Sequence, residues 1–217
     1  MDEEPTREEP LFRQFRADDM DACSRLAWDA WVAGSDKSDE FADPRVMEGY
    51  VRTFVVRSNW TEVAYNSHGV LGLLFGRIAS LKGKAGPRSL ASKLGMIPQF
   101  LFGIHGQHVS PIVLWHFFMT EFKVMVNVPR SDAEVNLIIV GSKYRGKGLG
   151  KKLMERFVKA ARDSGCRLVT LYTDDQASNW RFYEVIGFRK VTTFHDGLTS
   201  YFVERDAKGI VYVLDVK

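Results

Sequence analysis

Residues 134–154 read EVNLIIVGSKYRGKGLGKKLM. An apolar run ends at Val140, a loop follows with Gly146, Gly148 and Gly150, and an amphipathic pattern begins directly after it. Glycine allows a backbone to turn sharply and approach a ligand closely, and the first turn of a helix leaves N–H groups unpaired at the positive end of its dipole. The stretch is therefore expected to form a strand, an anion cradle and a helix. The helix rests on Leu149, Leu153, Met154, Phe157, Val158 and Ala161, which share one face at a 3.6-residue period, while Lys151, Lys152, Glu155, Arg156, Lys159 and Arg162 take the other. Gly165 is the residue expected just past the helix end.

Three readings of the glycine loop are open. The phosphate-loop pattern GxxxxGK[ST] nearly matches from Gly141, but Gly148 stands where a magnesium-binding hydroxyl is required. The dinucleotide pattern GxGxxG also fails, because Lys151 occupies the last glycine site. A purely structural strand-turn-helix is the third, and the flanking lysines weigh against it.

At these residues the chain resembles the GNAT superfamily of N-acetyltransferases. Arg145-Gly146-Lys147-Gly148-Leu149-Gly150 looks like that family's [RQ]-x-x-G-x-[GA] acetyl-CoA signature, after a strand ending at Val140 as the family's fourth strand does. Ser142 stands where the family often has proline, a departure that bears on loop rigidity. Downstream, SNWRFYEVIGF from Ser178 resembles the family's asparagine, aromatic-tyrosine and Gly-Phe element.

With 217 residues, 45% hydrophobic and 26% charged, the chain can bury one sizeable core and is not dominantly disordered. The net charge is +3, and the first ten residues carry five acids against one arginine, which leaves +7 on the rest. That excess suits a phosphorylated ligand and is too weak to argue for nucleic acid. Cys23 and Cys166 offer neither metal spacing nor a disulfide framework, so a reducing cytoplasm is expected. MDEEPTREEP lacks the basic-then-apolar layout of a signal peptide and reads as a solvated acidic tail over residues 1–10. The apolar region from Met96 to Val128 is interrupted by Pro98, His105, Pro111 and Glu121, so no membrane association is expected.

In chain order, LFRQFR from Leu11 alternates as a strand, and Ala17-Asp18-Asp19-Met20 opens a helix expected to end near Gly34. A second helix is expected from Pro44 to Arg57, then a hairpin turning between Asn66 and Gly69. Residues 81–128 read as an inserted helical cap with helices near Pro87–Gly103 and Val109–Val124. Its His105, His108 and His116 have no carboxylate or cysteine at ligand spacing, so no metal is expected, and Phe100, Phe102, Trp115, Phe117 and Phe118 read as core. CRLVTLYT is a strand, and a short helix follows from Asn179 to Ile186, stopping at Gly187. FRKVTTFH and a hairpin over YFVERDAKGIVYVLDV, turning between Asp206 and Gly209, complete the sheet. The expected fold is α/β (α+β): one domain over residues 11–217 with a mixed, mainly antiparallel sheet of about seven strands flanked by helices, and the helical insertion between strands three and four.

The resemblance implies acetyl-CoA-dependent acetylation of a primary amine, small-molecule or peptide, by direct attack in a ternary complex. A module that binds acyl-CoA without transfer is the competing expectation. The implied cofactor-binding residues are Ile138, Ile139 and Val140 through their main chain, the loop Arg145, Gly146, Lys147, Gly148, Leu149, Gly150 and Lys151, and Asn179. Tyr183, four residues after Asn179, is the expected proton donor to the departing thiolate. Glu134 is the expected base, because alternation would put it on one face with Asn136, Ile138 and Val140, leading toward the loop. Asp29, Asp36, Asp39 and Glu40 are candidates for an acidic acceptor pocket. The assembly is expected to be a monomer or homodimer.

Overall fold

The computed structural model describes residues 8–31, 44–81, 110–176 and 179–216. Seven strands form one sheet in the order β1-β2-β3-β4-β5-β7-β6. They are β1 (Leu11–Gln14), β2 (Trp60–Asn66), β3 (Gly69–Ile78), β4 (Ala133–Val140), β5 (Leu168–Asp174), β6 (Arg189–His195) and β7 (Lys208–Asp215). Every neighbouring pair is antiparallel except β4 and β5. The helices are α1 (Met20–Trp31), α2 (Pro44–Arg57), α3 (Pro111–Asn127), α4 (Leu149–Asp163), α5 (Phe182–Val185) and α6 (Gly197–Val203).

Each face of the sheet buries a separate set of side chains. On one, α4 packs its buried stripe of Leu149, Leu153, Met154, Phe157 and Ala161 against Leu74 and Ile78 of β3, Ala133 and Val135 of β4 and Val169 and Leu171 of β5. Gly165, with φ +76°, closes this helix as expected. On the other face, Cys23 and Ala27 of α1 and Met47 and Val51 of α2 meet Val63, Leu73, Phe75, Leu137 and Ile139, and α3 adds Val113 and Leu114.

The approach of α4 is close enough to require glycine at one strand position. A Cβ at Gly76 would stand 2.4 Å from Phe157 Cε2 and 2.9 Å from the Glu134 carbonyl oxygen. Backbone cannot yield to it, so Gly76→Ala is expected to lower stability by about 2 kcal/mol, a fall in Tm of about 4–8 °C for a chain of this length. Thermal unfolding followed by circular dichroism checks this.

Several expectations change. The second cap helix runs Pro111–Asn127, because Pro111 provides a pre-set first turn behind Ser110; the first cap helix and the predicted end at Gly34 lie outside the described residues. Phe117 and Phe118 are half-buried, but Trp115 is 60% exposed, because α3 buries only Val113, Leu114, Thr120 and Val124. Phe100, Phe102, His105 and His108 lie outside the described residues. His116 stacks on Tyr201. The segment predicted as the first arm of the last hairpin is partly helical: α6 takes up Tyr201, Phe202 and Val203, since Asp196 caps it by accepting from the amides of Leu198 and Thr199. Strand β7 therefore pairs with β6 and β5 and has no hairpin partner of its own at Tyr201.

The alternation predicted along β4 is interrupted. Across the β3–β4 ladder Phe75 pairs with Leu137 and the next residue, Gly76, pairs with Val135, so Asn136 is an extra residue on β4. Ile138 and Val140 beyond this bulge pack toward α4, whereas the residues before it that do so are Ala133 and Val135. Glu134 thus faces the side of α1 and α2, opposite Ile138 and Val140, and the single predicted face does not exist.

Candidate functional site

At the end of β4 the chain makes a one-turn 3-10 helix, Ser142–Tyr144, and enters the glycine loop. Gly146 has φ +74° and Gly148, the N-cap of α4, has φ +79°, values that side-chain-bearing residues rarely adopt. A Cβ at either would meet no atom within 4 Å, so the space before both is open. The first helical bond of α4 runs from Lys152 N to Gly148 O at 3.0 Å. The amides of Leu149, Gly150 and Lys151 therefore precede it without an intrahelical acceptor, which is the donor set an anion needs.

The charged side chains of the loop are less free than their sequence suggests. Arg145 Nε donates to the Val140 carbonyl at 3.0 Å, clasping the loop back on the strand. Lys147 Nζ lies 5.8 Å from the centre of the Tyr144 ring, and Lys151 pairs with Glu155 at 3.7 Å. The side chain of Leu149 is buried in the core, so its part in any anion site is its amide. A Cβ at Gly150 would touch Val140 at 3.5 Å and Phe182 at 3.7 Å, so this glycine lies where β4 meets α5.

Beside the loop the sheet forks. The β4–β5 ladder has three pairs, Ala133↔Val169, Glu134↔Thr170 and Val135↔Leu171, and stops. β4 then runs on to Val140 paired with β3 alone, while β5 runs on to Asp174 paired with β7 alone. Ile138, Ile139 and Val140 thus line the β4 side of an opening whose far wall is Tyr172, Thr173 and Asp174.

Tyr183 reaches the β5 side of this fork. Its hydroxyl shares a hydrogen bond with the Thr173 side chain, and its ring packs against Phe188 and Tyr212 at centroid distances of 6.2 and 5.6 Å. Burial pushes the phenol well above its ordinary value, and the bond to Thr173 pulls the other way. Thr173 was not singled out by sequence, since nothing local marks it. The predicted helix from Asn179 contracts to Phe182–Val185, and Asn179 lies in the turn before it, its carbonyl accepting from Phe182 N at 3.0 Å. Because the helix begins only at Phe182, Asn179 and Tyr183 do not share the helical face that a spacing of four would give, and Gly187, with φ +96°, ends the element.

Glu134 lies at the base of the fork, half-buried, directly across from Arg77 on β3 and Thr170 on β5. It stands six positions before Val140, a span of about 20 Å along a strand, so it is remote from the glycine loop. On the same side of the sheet Tyr50 is half-buried, and desolvation first, then the charge of Glu121, pushes its phenol up, while Arg57 pulls it down. Asp29 is on α1; Asp36, Asp39 and Glu40 lie outside the described residues. Among the described residues no cluster of histidine, cysteine and carboxylates could hold a metal, and no helix is long and apolar enough to cross a membrane.

Residues 116–188, from the middle of α3 to the start of β6, match the model of the acetyltransferase (GNAT) family. The chain is similar in fold to solved structures. An N-acetyltransferase from Staphylococcus aureus Mu50 superposes with a TM-score of 0.58 at 16% identity, covering 97% of this chain and 100% of that one. The ribosomal-protein-S18-alanine N-acetyltransferase from Escherichia coli gives 0.53 at 12% identity, over 96% and 95%. An aminoglycoside 6'-N-acetyltransferase complexed with coenzyme A gives 0.55 at 13% identity, over 95% and 97%. At these identities the likeness is one of fold.

Proposed function

We propose that this chain, whose residues 116–188 match the model of the acetyltransferase (GNAT) family, moves an acetyl group from acetyl-CoA to a primary amine by direct attack in a ternary complex. The observation that carries the reading is the fork between β4 and β5 with an anion cradle at its open end. The amides of Leu149, Gly150 and Lys151 would hold the pyrophosphate, and the β4 edge beyond Val135 offers main-chain groups to the thioester arm, as a strand partner would.

The chemistry asks little more of the protein. A neutral amine attacks the thioester carbon, whose oxygen gains negative charge that a main-chain N–H near Ile138 or Ile139 can stabilise. Collapse expels the thiolate and leaves a protonated amide nitrogen to lose its proton. Glu134, on the side of the sheet covered by α1 and α2, is the candidate to take that proton, directly or through water. Tyr183 stays protonated throughout the working pH range, because burial holds its phenol above the ordinary value near 10. It is a hydrogen-bond donor to the thiolate before it is a source of a whole proton.

Tyr183→Phe is therefore expected to lower kcat about 10- to 100-fold while leaving acetyl-CoA affinity within about twofold. Steady-state kinetics beside calorimetry read the two quantities separately, and equal kcat would remove the donor role. Activity of the parent should rise with pH as the acceptor deprotonates, with no alkaline fall below about pH 10. The function as a whole is tested by thiol release from acetyl-CoA against a panel of small and peptide amines. Release only with an acceptor identifies transfer; binding with no release under any acceptor identifies an acyl-CoA-binding module instead.

A further inference from the structure

We propose that Asn136 is the positioning residue of the fork, fastening β4 to the end of α2 so that the strand edge facing the thioester arm is held in one place; this rests on the acetyl-CoA reading above. Asn136 is the residue that the β3 ladder skips, passing from Leu137 to Val135, and it is also the first residue after the β5 ladder ends at Val135. It therefore has no register partner on either neighbouring strand. A bulge bends and twists its strand, and where neither ladder holds the extra residue its setting depends on the side chain.

That side chain is committed. Asn136 Nδ2 donates to Ser58 Oγ at 2.9 Å and to the Arg57 carbonyl at 3.3 Å. Arg57 is the last residue of α2, so its carbonyl is one of those a helix end leaves without an intrahelical donor, and Ser58 is only 7% exposed. The Arg57 guanidinium in turn lies 3.8 Å from Glu121 of α3. One amide thus links the fork to the end of α2, whose Arg57 side chain reaches α3, on the side of the sheet where Glu134 also faces. Alanine at 136 would leave the bulge possible and remove the link.

The test titrates acetyl-CoA and, separately, adenosine 3',5'-bisphosphate into the full-length parent, Asn136→Ala, Ser58→Ala and the double variant, by calorimetry. The bisphosphate carries phosphate chemistry without a thioester arm. Asn136→Ala should weaken acetyl-CoA about tenfold, the order of a single hydrogen bond, and leave the bisphosphate within about twofold. Ser58→Ala should reproduce part of the loss, and the double variant should be no weaker than Asn136→Ala, since both remove the same contact. If Asn136→Ala does not fold, Ser58→Ala alone carries the comparison. Unchanged acetyl-CoA affinity in the folded variants, or equal weakening of both ligands, overturns the positioning role. A parent that binds neither ligand overturns the acetyl-CoA reading itself.

Discussion

A Gly148→Asp variant is expected to fold as the parent does and to lose acetyl-CoA binding, with Kd raised at least about 100-fold. Gly148 has φ +79° and caps α4, and aspartate is among the residues that best tolerate that conformation and that cap position. Open space surrounds the added Cβ, so the core behind Leu149 has no reason to change. The new carboxylate would stand at the unpaired amides of Leu149, Gly150 and Lys151, occupying as an internal anion the site a pyrophosphate needs. Two like charges in one cradle, added to the lost approach, exceed what a single hydrogen bond contributes. Calorimetry at matched ionic strength, with circular dichroism as the folding control, reads the result; equal affinity in the two proteins would remove the cradle from this loop.

Asp196→Ala should have the largest effect on stability, about 3–5 kcal/mol, because it leaves several buried donors without an acceptor. Asp196 is 2% exposed. It accepts from Tyr172 Oη, from Thr120 Oγ1 at 2.9 Å, from Thr199 Oγ1 at 2.8 Å and from the amides of Leu198 and Thr199 at 3.0 and 3.1 Å. One carboxylate therefore joins β5, α3 and the start of α6. Burial and then the neighbouring Asp196 charge hold the Tyr172 phenol well above its ordinary value, so that it remains a donor to the carboxylate. The expected signs are a fall in Tm of about 10 °C and faster hydrogen exchange in α3 and α6 than in α4. Uniform exchange across the three helices would show that the network does not hold the insertion in place.

Part of the site could be read before any coordinates. The glycine loop was legible because each signal is local: positive φ at Gly146 and Gly148 and the face of α4 from Leu149 to Ala161 depend on residues within a turn or two. The same holds for α2, found at the predicted Pro44–Arg57. The arm at Tyr201 misled because its alternation satisfied a strand pattern, while the cap five residues earlier, Asp196, also accepts hydrogen bonds from Thr120 of α3 and Tyr172 of β5, partners that are distant in sequence.

Glu134 shows where local reading ends. A strand pattern has a period of two only while its register holds, and register belongs to a pair of strands. By itself the sequence determined the strand, glycine turn and helix from Ala133 to Asp163 and the face that α4 buries, because those follow from backbone freedom and periodicity along one chain. Only the tertiary structure decided the extra residue at Asn136, the fork beyond Val135 and the side on which Glu134 faces, because each arises from how β3 and β5 pair with β4 across the sheet.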